Sequence, residues 1–157
     1  MNFSTITDDL FIGNMPSASD YDQLHALGVR LIINMRFSRG PRPDSHHPPI
    51  QTLWLRSIDS PLFPISIHKL MRGAQTALET ICSGGKVYAH CAYGRHRGVA
   101  MGACILIAQG MSAVDAMKLI ESRRSVADPD AFYIKSRILK FAKLWKTSGQ
   151  VSRFESG

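Results

Sequence analysis

The segment Tyr88–Gly98, YAHCAYGRHRG, runs an apolar strand into a cysteine, a glycine and three basic side chains, and a mostly apolar helical pattern follows. Strand, tight loop and helix start is the arrangement in which backbone N–H groups and a helix N-terminus converge on an anion. Gly94 supplies backbone angles that a side chain would forbid. Arg97 falls at the helix start, where its planar fork suits two phosphate oxygens at once; lysine would bring charge without that geometry. The same field acts on Cys91. A free thiol has a pKa of about 8.5, and a helix N-terminus with flanking cations lowers it by several units. The pattern therefore predicts a nucleophilic thiolate facing a bound phosphate.

Cleaving a phosphate ester also requires an acid for the leaving oxygen. Between Asp44 and Glu79 the single acidic residue is Asp59. It ends a predicted strand, which in an α/β fold puts it at the sheet edge where ligands bind. Ser60 and Pro61 then begin a stiff loop suited to carrying it over a pocket.

The elements that must position these residues follow from periodicity and punctuation. Short strands flank a turn at Asp8-Asp9. Ser17 with Asp20 opens a helix whose apolar face holds Leu24 and Leu27, and Gly28 ends it. Val29 to Met35 is an apolar run suited to a buried parallel strand, Phe37 to Pro49 a proline-rich loop, and Ile50 to Ile58 a further strand. Ile65 to Ser83 carries Ile67, Leu70, Met71, Ala74, Ala77, Leu78 and Ile81 at helical spacing. Lys86 to His90 is a short strand. Helices follow over Gly98 to Gln109, Ala113 to Arg124 (capped by Ser112 with Asp115) and Asp130 to Lys146; Ile134, Ile138, Leu139, Phe141, Ala142 and Trp145 form the core face of the last. Strands alternating with helices predict a single α/β domain over residues 1–146. Its central, mostly parallel sheet should have about four to five strands, with helices on both faces. Residues 147–157 read as a polar tail.

At 157 residues the chain suffices for one domain with a real core. No apolar run reaches the roughly 20 residues of a membrane helix and no basic leader is visible, so a cytoplasmic protein is expected. Three cysteines do not make a disulfide framework, and Cys82 and Cys104 read as small core residues. A net charge of +7 suits an anionic partner. The bases are spread out, with no nucleic-acid motif, aromatic ladder or zinc pattern, so no nucleic-acid role is expected. His46-His47 has no cysteine or acid cluster at ligand spacing and reads as a surface pair.

HCAYGRHR, residues 90–97, resembles the His-Cys-x5-Arg signature of cysteine-dependent protein tyrosine and dual-specificity phosphatases. The separation of Asp59 from Cys91 is similar to that of the compact dual-specificity group, and LFIGNMPSASDYDQLHALGVRLIINMR resembles that group's opening strand and helix. The resemblance implies a phosphocysteine on Cys91, phosphoryl oxygens bound by Arg97, and backbone N–H donors over Ala92, Tyr93, Gly94, Arg95, His96 and Arg97. It implies that His90 orients the loop and supports a low thiol pKa. Asp59 would protonate the leaving group and then activate water. No metal or other cofactor is implied. The family usually has Ser or Thr directly after the arginine, a hydroxyl that helps the thiolate leave; Gly98 stands there, which predicts slow turnover with accumulating phosphoenzyme. Arg95 is similar to the basic loop residues of lipid-directed members, including phosphatidylglycerophosphate phosphatases, although a solvent-facing arginine reads equally well. Tyr93 would stack on a phenyl ring or pack beside the loop. The expected partner is a phosphorylated protein or another anionic phosphate ester. An anionic lipid headgroup is one alternative, and a weakly active phosphate-binding module is another.

Overall fold

In the computed structural model, which describes residues 1–148, the antiparallel pair β1 (Phe3–Thr7) and β2 (Leu10–Gly13) turns at Asp8-Asp9. The runs β3 (Val29–Asn34), β4 (Gln51–Trp54) and β5 (Lys86–His90) join it in parallel, in the order β1-β2-β5-β3-β4. The strand that feeds the loop is thus central, with His90 opposite Gly13 on one side and Asn34 on the other.

Helix α1 (Tyr21–Ala26) follows a short 3-10 turn whose Asp20 carboxylate accepts the Ser17 backbone N–H at 2.7 Å. It covers one face of the sheet, where Tyr21 and Leu24 pack with Phe11, Ile32 and Tyr88. The other face carries α2 (Ile67–Cys82), α3 (Arg97–Ala108), α4 (Ala113–Arg123) and α5 (Phe132–Thr147). Every residue of α3 is buried, as a helix that is apolar all round must be. It sits close to the sheet because Gly102 has no Cβ, which would lie 2.3 Å from Ile12 Cδ1. Each large side chain buried here contributes about 1.5–3 kcal/mol, so the start of α3 is fixed by a dozen residues of packing behind it.

Three expectations are corrected. The strand expected over Ile50 to Ile58 stops at Trp54; Leu55 N still donates to Asn34 O, but Ser57 turns its hydroxyl to Met35 O and its carbonyl to Arg97. Cys82 is exposed, being the last residue of α2 and one turn beyond Leu78, the last side chain of that helix to be buried; Cys104 is buried. On α5, Leu139 stands out to solvent while Ile134, Ile138, Phe141 and Trp145 take the core. Helix α5 runs one residue into the expected tail, and residues 149–157 of that tail lie outside the described residues. No helix among the described residues is long and apolar enough to cross a membrane.

Candidate active site

The loop between β5 and α3 carries Cys91, which is 3% exposed. Five carbonyls along it are tied away from the thiol. Cys91 O accepts from His90 Nδ1 (3.2 Å), Tyr93 O and Gly94 O from Arg124 Nη2 and Nε (2.8 Å each), Arg95 O from Asp128 N (3.0 Å) and His96 O from Ala100 N (2.8 Å). Among the described residues, no backbone N–H from Ala92 to Arg97 meets a protein acceptor. Carbonyls held outward and N–H groups left unused make an anion cradle. Gly94 is needed twice over: its φ is +65°, and a Cβ would lie 2.7 Å from Gly13 O and 2.8 Å from Arg124 Nη2.

Arg97 opens α3 and is 9% exposed. Its Nη1 donates to Ser57 O (2.7 Å) and Met35 O (3.3 Å), while its buried Nε has no partner among the described residues. A buried guanidinium N–H without an acceptor is costly, and a phosphate oxygen would satisfy it. Behind the loop, His90 is buried, and because a carbonyl only accepts, its Nδ1 carries the hydrogen. Burial, with the nearby charges of Arg36 and Arg97, lowers its pKa to about 4. The ring therefore holds the loop as a neutral group, through a hydrogen bond and not through charge. Gly98 is buried against the same backbone; a Cβ there would lie 3.3 Å from Cys91 N and from His90 C.

Asp59 reaches the loop from the segment between β4 and α2. One carboxylate oxygen accepts the Tyr133 hydroxyl at 2.7 Å and the other meets His96 Nδ1 at 3.0 Å. Tyr133 and His96 are themselves 3.2 Å apart, and His96 Nε2 lies 3.5 Å from Asp128. Burial pushes the Asp59 pKa up, but hydrogen bonds from Tyr133 and His96, with the charges of His96 and Arg97, outweigh it and leave the carboxyl below its ordinary value. The Tyr133 hydroxyl is pushed up to about 12, by burial and by Asp59.

The other loop residues face outward. Tyr93 is 78% exposed, so it stands at the mouth and does not pack beside the loop. The Arg95 side chain is also exposed, with Asp128 3.9 Å away, which matches the solvent-facing reading. Ala92 is half-buried. A cleft of about 330 Å³ lined by Asn2, Asn14, Tyr93, Arg95, Arg124 and Val126 opens beside the loop. Elsewhere, His46 lies between Asp44 (2.6 Å) and Asp22 (2.7 Å), and His25 meets Asp44 at 2.8 Å. Ligand atoms of His25, Asp44 and His46 lie within 4.8 Å of one another and could hold a metal. His46 of the surface pair thus has Asp44 two residues away and gains Asp22 through the fold.

Four contributors have no sequence signal of their own: the imidazole of His96, Arg124, Asp128 and Tyr133. Arg124 reads as one of many spread bases, yet it is 3% exposed and straps the loop.

No family model matches the chain. It is 25% identical over 152 residues to dual specificity protein phosphatase 13B of Mus musculus, covering 88% of this chain and 72% of the relative. It is 29% identical over 128 residues to dual specificity phosphatase 28 of Homo sapiens, covering 80% and 69%. The fold matches the crystal structure of human DUSP28 with a TM-score of 0.81 at 23% identity, over 93% of this chain and 96% of that one. It also matches PTPMT1 in complex with PI(5)P, with a TM-score of 0.81 at 23% identity, over 94% and 98%.

Proposed function

We infer that this chain, a member of the cysteine-dependent protein tyrosine phosphatase superfamily in its compact dual-specificity group, hydrolyses phosphomonoesters of phosphorylated proteins at Cys91. The observation that carries the site assignment is the loop itself, with its carbonyls strapped outward, its N–H groups unused and Arg97 Nε without an acceptor. In the first step Cys91 Sγ attacks phosphorus, the bond to the leaving oxygen breaks, and that oxygen takes a proton from Asp59. In the second, Asp59 takes a proton from water, whose oxygen displaces Sγ and frees inorganic phosphate. Both steps are stabilised where charge develops, by the loop N–H groups and Arg97. Gly98 offers the departing thiolate no hydroxyl, so the second step is the slow one.

A second substrate class is favoured by the surroundings. Leu62 and Phe63 on the Asp59 loop, Tyr93 in the phosphate loop and Phe132 beside Tyr133 are all exposed, on a chain of net charge +7. Exposed apolar side chains on the segments that carry the site, on a cationic protein, suit a phospholipid headgroup at an interface. The test sets phosphotyrosine and phosphothreonine peptides beside a phosphoinositide and phosphatidylglycerophosphate, each with wild type and Cys91→Ser. Peptide turnover lost in Cys91→Ser supports the leading reading. Turnover of the lipids alone transfers the assignment to them, and release no greater than that of Cys91→Ser on every substrate leaves a binding module.

A further inference from the structure

A general acid must hold a proton when the leaving group departs, yet the groups that hydrogen-bond to Asp59 favour its carboxylate. Tyr133 donates to one oxygen and His96 Nδ1 meets the other. His96 Nδ1 and Asp59 lie 3.0 Å apart in a hydrogen bond that needs one proton between them, and Asp128 stands 3.5 Å from Nε2 as a second carboxylate beside the ring. The charged and titratable groups around the pair are Tyr133 from α5, Arg97 from α3, Asp128 from the α4–α5 connection and Arg95, 3.9 Å from Asp128.

We propose that Asp59 and His96 form one proton-sharing pair, with His96 Nδ1 storing the proton that Asp59 passes to the leaving oxygen. The proposal rests on the phosphatase reading above and deepens it. The imidazole acts through Asp59, so it is a positioning residue for the acid.

The proton count closes over the cycle. Before attack the pair holds one shared proton, written either as carboxylate with imidazolium or as carboxylic acid with neutral imidazole. Tyr133 keeps both partners in register, donating to Asp59 while its oxygen stands 3.2 Å from His96 Nδ1. When the P–O bond breaks, the leaving oxygen takes the proton from Asp59, and carboxylate and neutral imidazole remain. When water attacks the phosphocysteine, Asp59 takes a proton from it and the pair is restored. Such a pair loses its proton with a midpoint that belongs to the pair, not to the carboxyl alone.

This makes the sign of one experiment decisive. If His96 were only a cation near Asp59, replacing it would relieve the downward pull on the carboxyl, and the alkaline limb of kcat/KM would move up. If the pair shares a proton, replacement removes the store, and the limb falls by about one pH unit or more toward the carboxyl's own range. The measurement is the pH profile of kcat/KM for His96→Gln with phenyl phosphate, which needs protonation, and with p-nitrophenyl phosphate, which needs it less. The proposal expects the downward shift and a loss about tenfold greater on phenyl phosphate. An upward shift, an unmoved limb or an equal loss on both esters overturns it. Should His96→Gln fail to fold, the His96 ring proton is followed by NMR in the wild type: a midpoint coinciding with the alkaline limb supports the pair, and a midpoint more than about one unit away refutes it. If wild type releases no more phenol than Cys91→Ser, the phosphatase reading has failed instead.

Discussion

Arg124→Met tests whether the phosphate loop is held open from behind. The guanidinium is 3% exposed, and three of its nitrogens donate: to Gly94 O and Tyr93 O at 2.8 Å and to Ser4 Oγ at 3.1 Å. Methionine keeps much of the stem and removes every donor, so two loop carbonyls are stranded. A buried polar group left unsatisfied costs about 1–3 kcal/mol, which puts the gross loss at about 2–6 kcal/mol. Burial also disfavours the arginine's charge, lowering its pKa, and that penalty disappears with it. The net loss should therefore fall in the lower part of the range, about 2–3 kcal/mol. A domain stable by about 5–15 kcal/mol remains folded after such a loss. The carbonyls would no longer be held outward, and the N–H groups would lose their common aim; 1.4 kcal/mol of lost phosphate binding is a factor of about ten. Urea denaturation gives the stability change, and competitive inhibition by inorganic phosphate gives the affinity. Arg124→Lys, with one ammonium for two carbonyls, should recover less than half of either. A loss below about 1 kcal/mol with unchanged phosphate inhibition would show that the loop keeps its shape without the strap.

Two further perturbations isolate single contributions. Gly98→Ala and Gly98→Ser share the crowding of a Cβ 3.3 Å from His90 C and Cys91 N, about 1–3 kcal/mol, and differ only by a hydroxyl; steady-state turnover should be several-fold faster in the serine variant, and equal rates would remove the hydroxyl from the argument. The proline-rich loop should be held best in mildly acid solution. Burial opposes ionisation of Asp44, but the N–H groups of Ile50 and His46 and the rings of His25 and His46 hold its carboxyl well below the usual range, while Asp44 and Asp22 raise His46. A depressed acid stabilises above its unfolded value of about 3.9, and a raised histidine stabilises fully below about 6.5 and less as pH climbs through its folded value. The protection factor of the Ile50 amide, which donates to Asp44 at 2.7 Å, should peak between those limits and lose the peak in Asp44→Asn; a flat profile contradicts the pairing.

The place of the loop was legible because Cys91, Gly94 and Arg97 are neighbours in sequence, and a strand and a helix on either side leave that stretch few ways to turn. Asp59 drew notice by scarcity, as the one acid in its stretch of chain, and the fold sets it beside the loop. What supports them was not. Arg124 lies 30 residues from Gly94 and Tyr133 lies 74 from Asp59, and their roles arise only when α4 and α5 pack on α3. The end of β4 was misplaced for the same reason, since Ser57 O turns to an arginine 40 residues away. Cys82 and Leu139 show the limit of periodicity, which marks an apolar stripe but not where its cover ends.

Rapid-quench mixing with phenyl phosphate, from about pH 5 to 8, bears most directly on the covalent route. The predicted result is a burst of one phenol per chain followed by slow turnover, with acid-trapped phosphate on Cys91 and no burst in Cys91→Ser. Phenol release no greater than that of Cys91→Ser across that range, or trapped phosphate on any other residue, would contradict it.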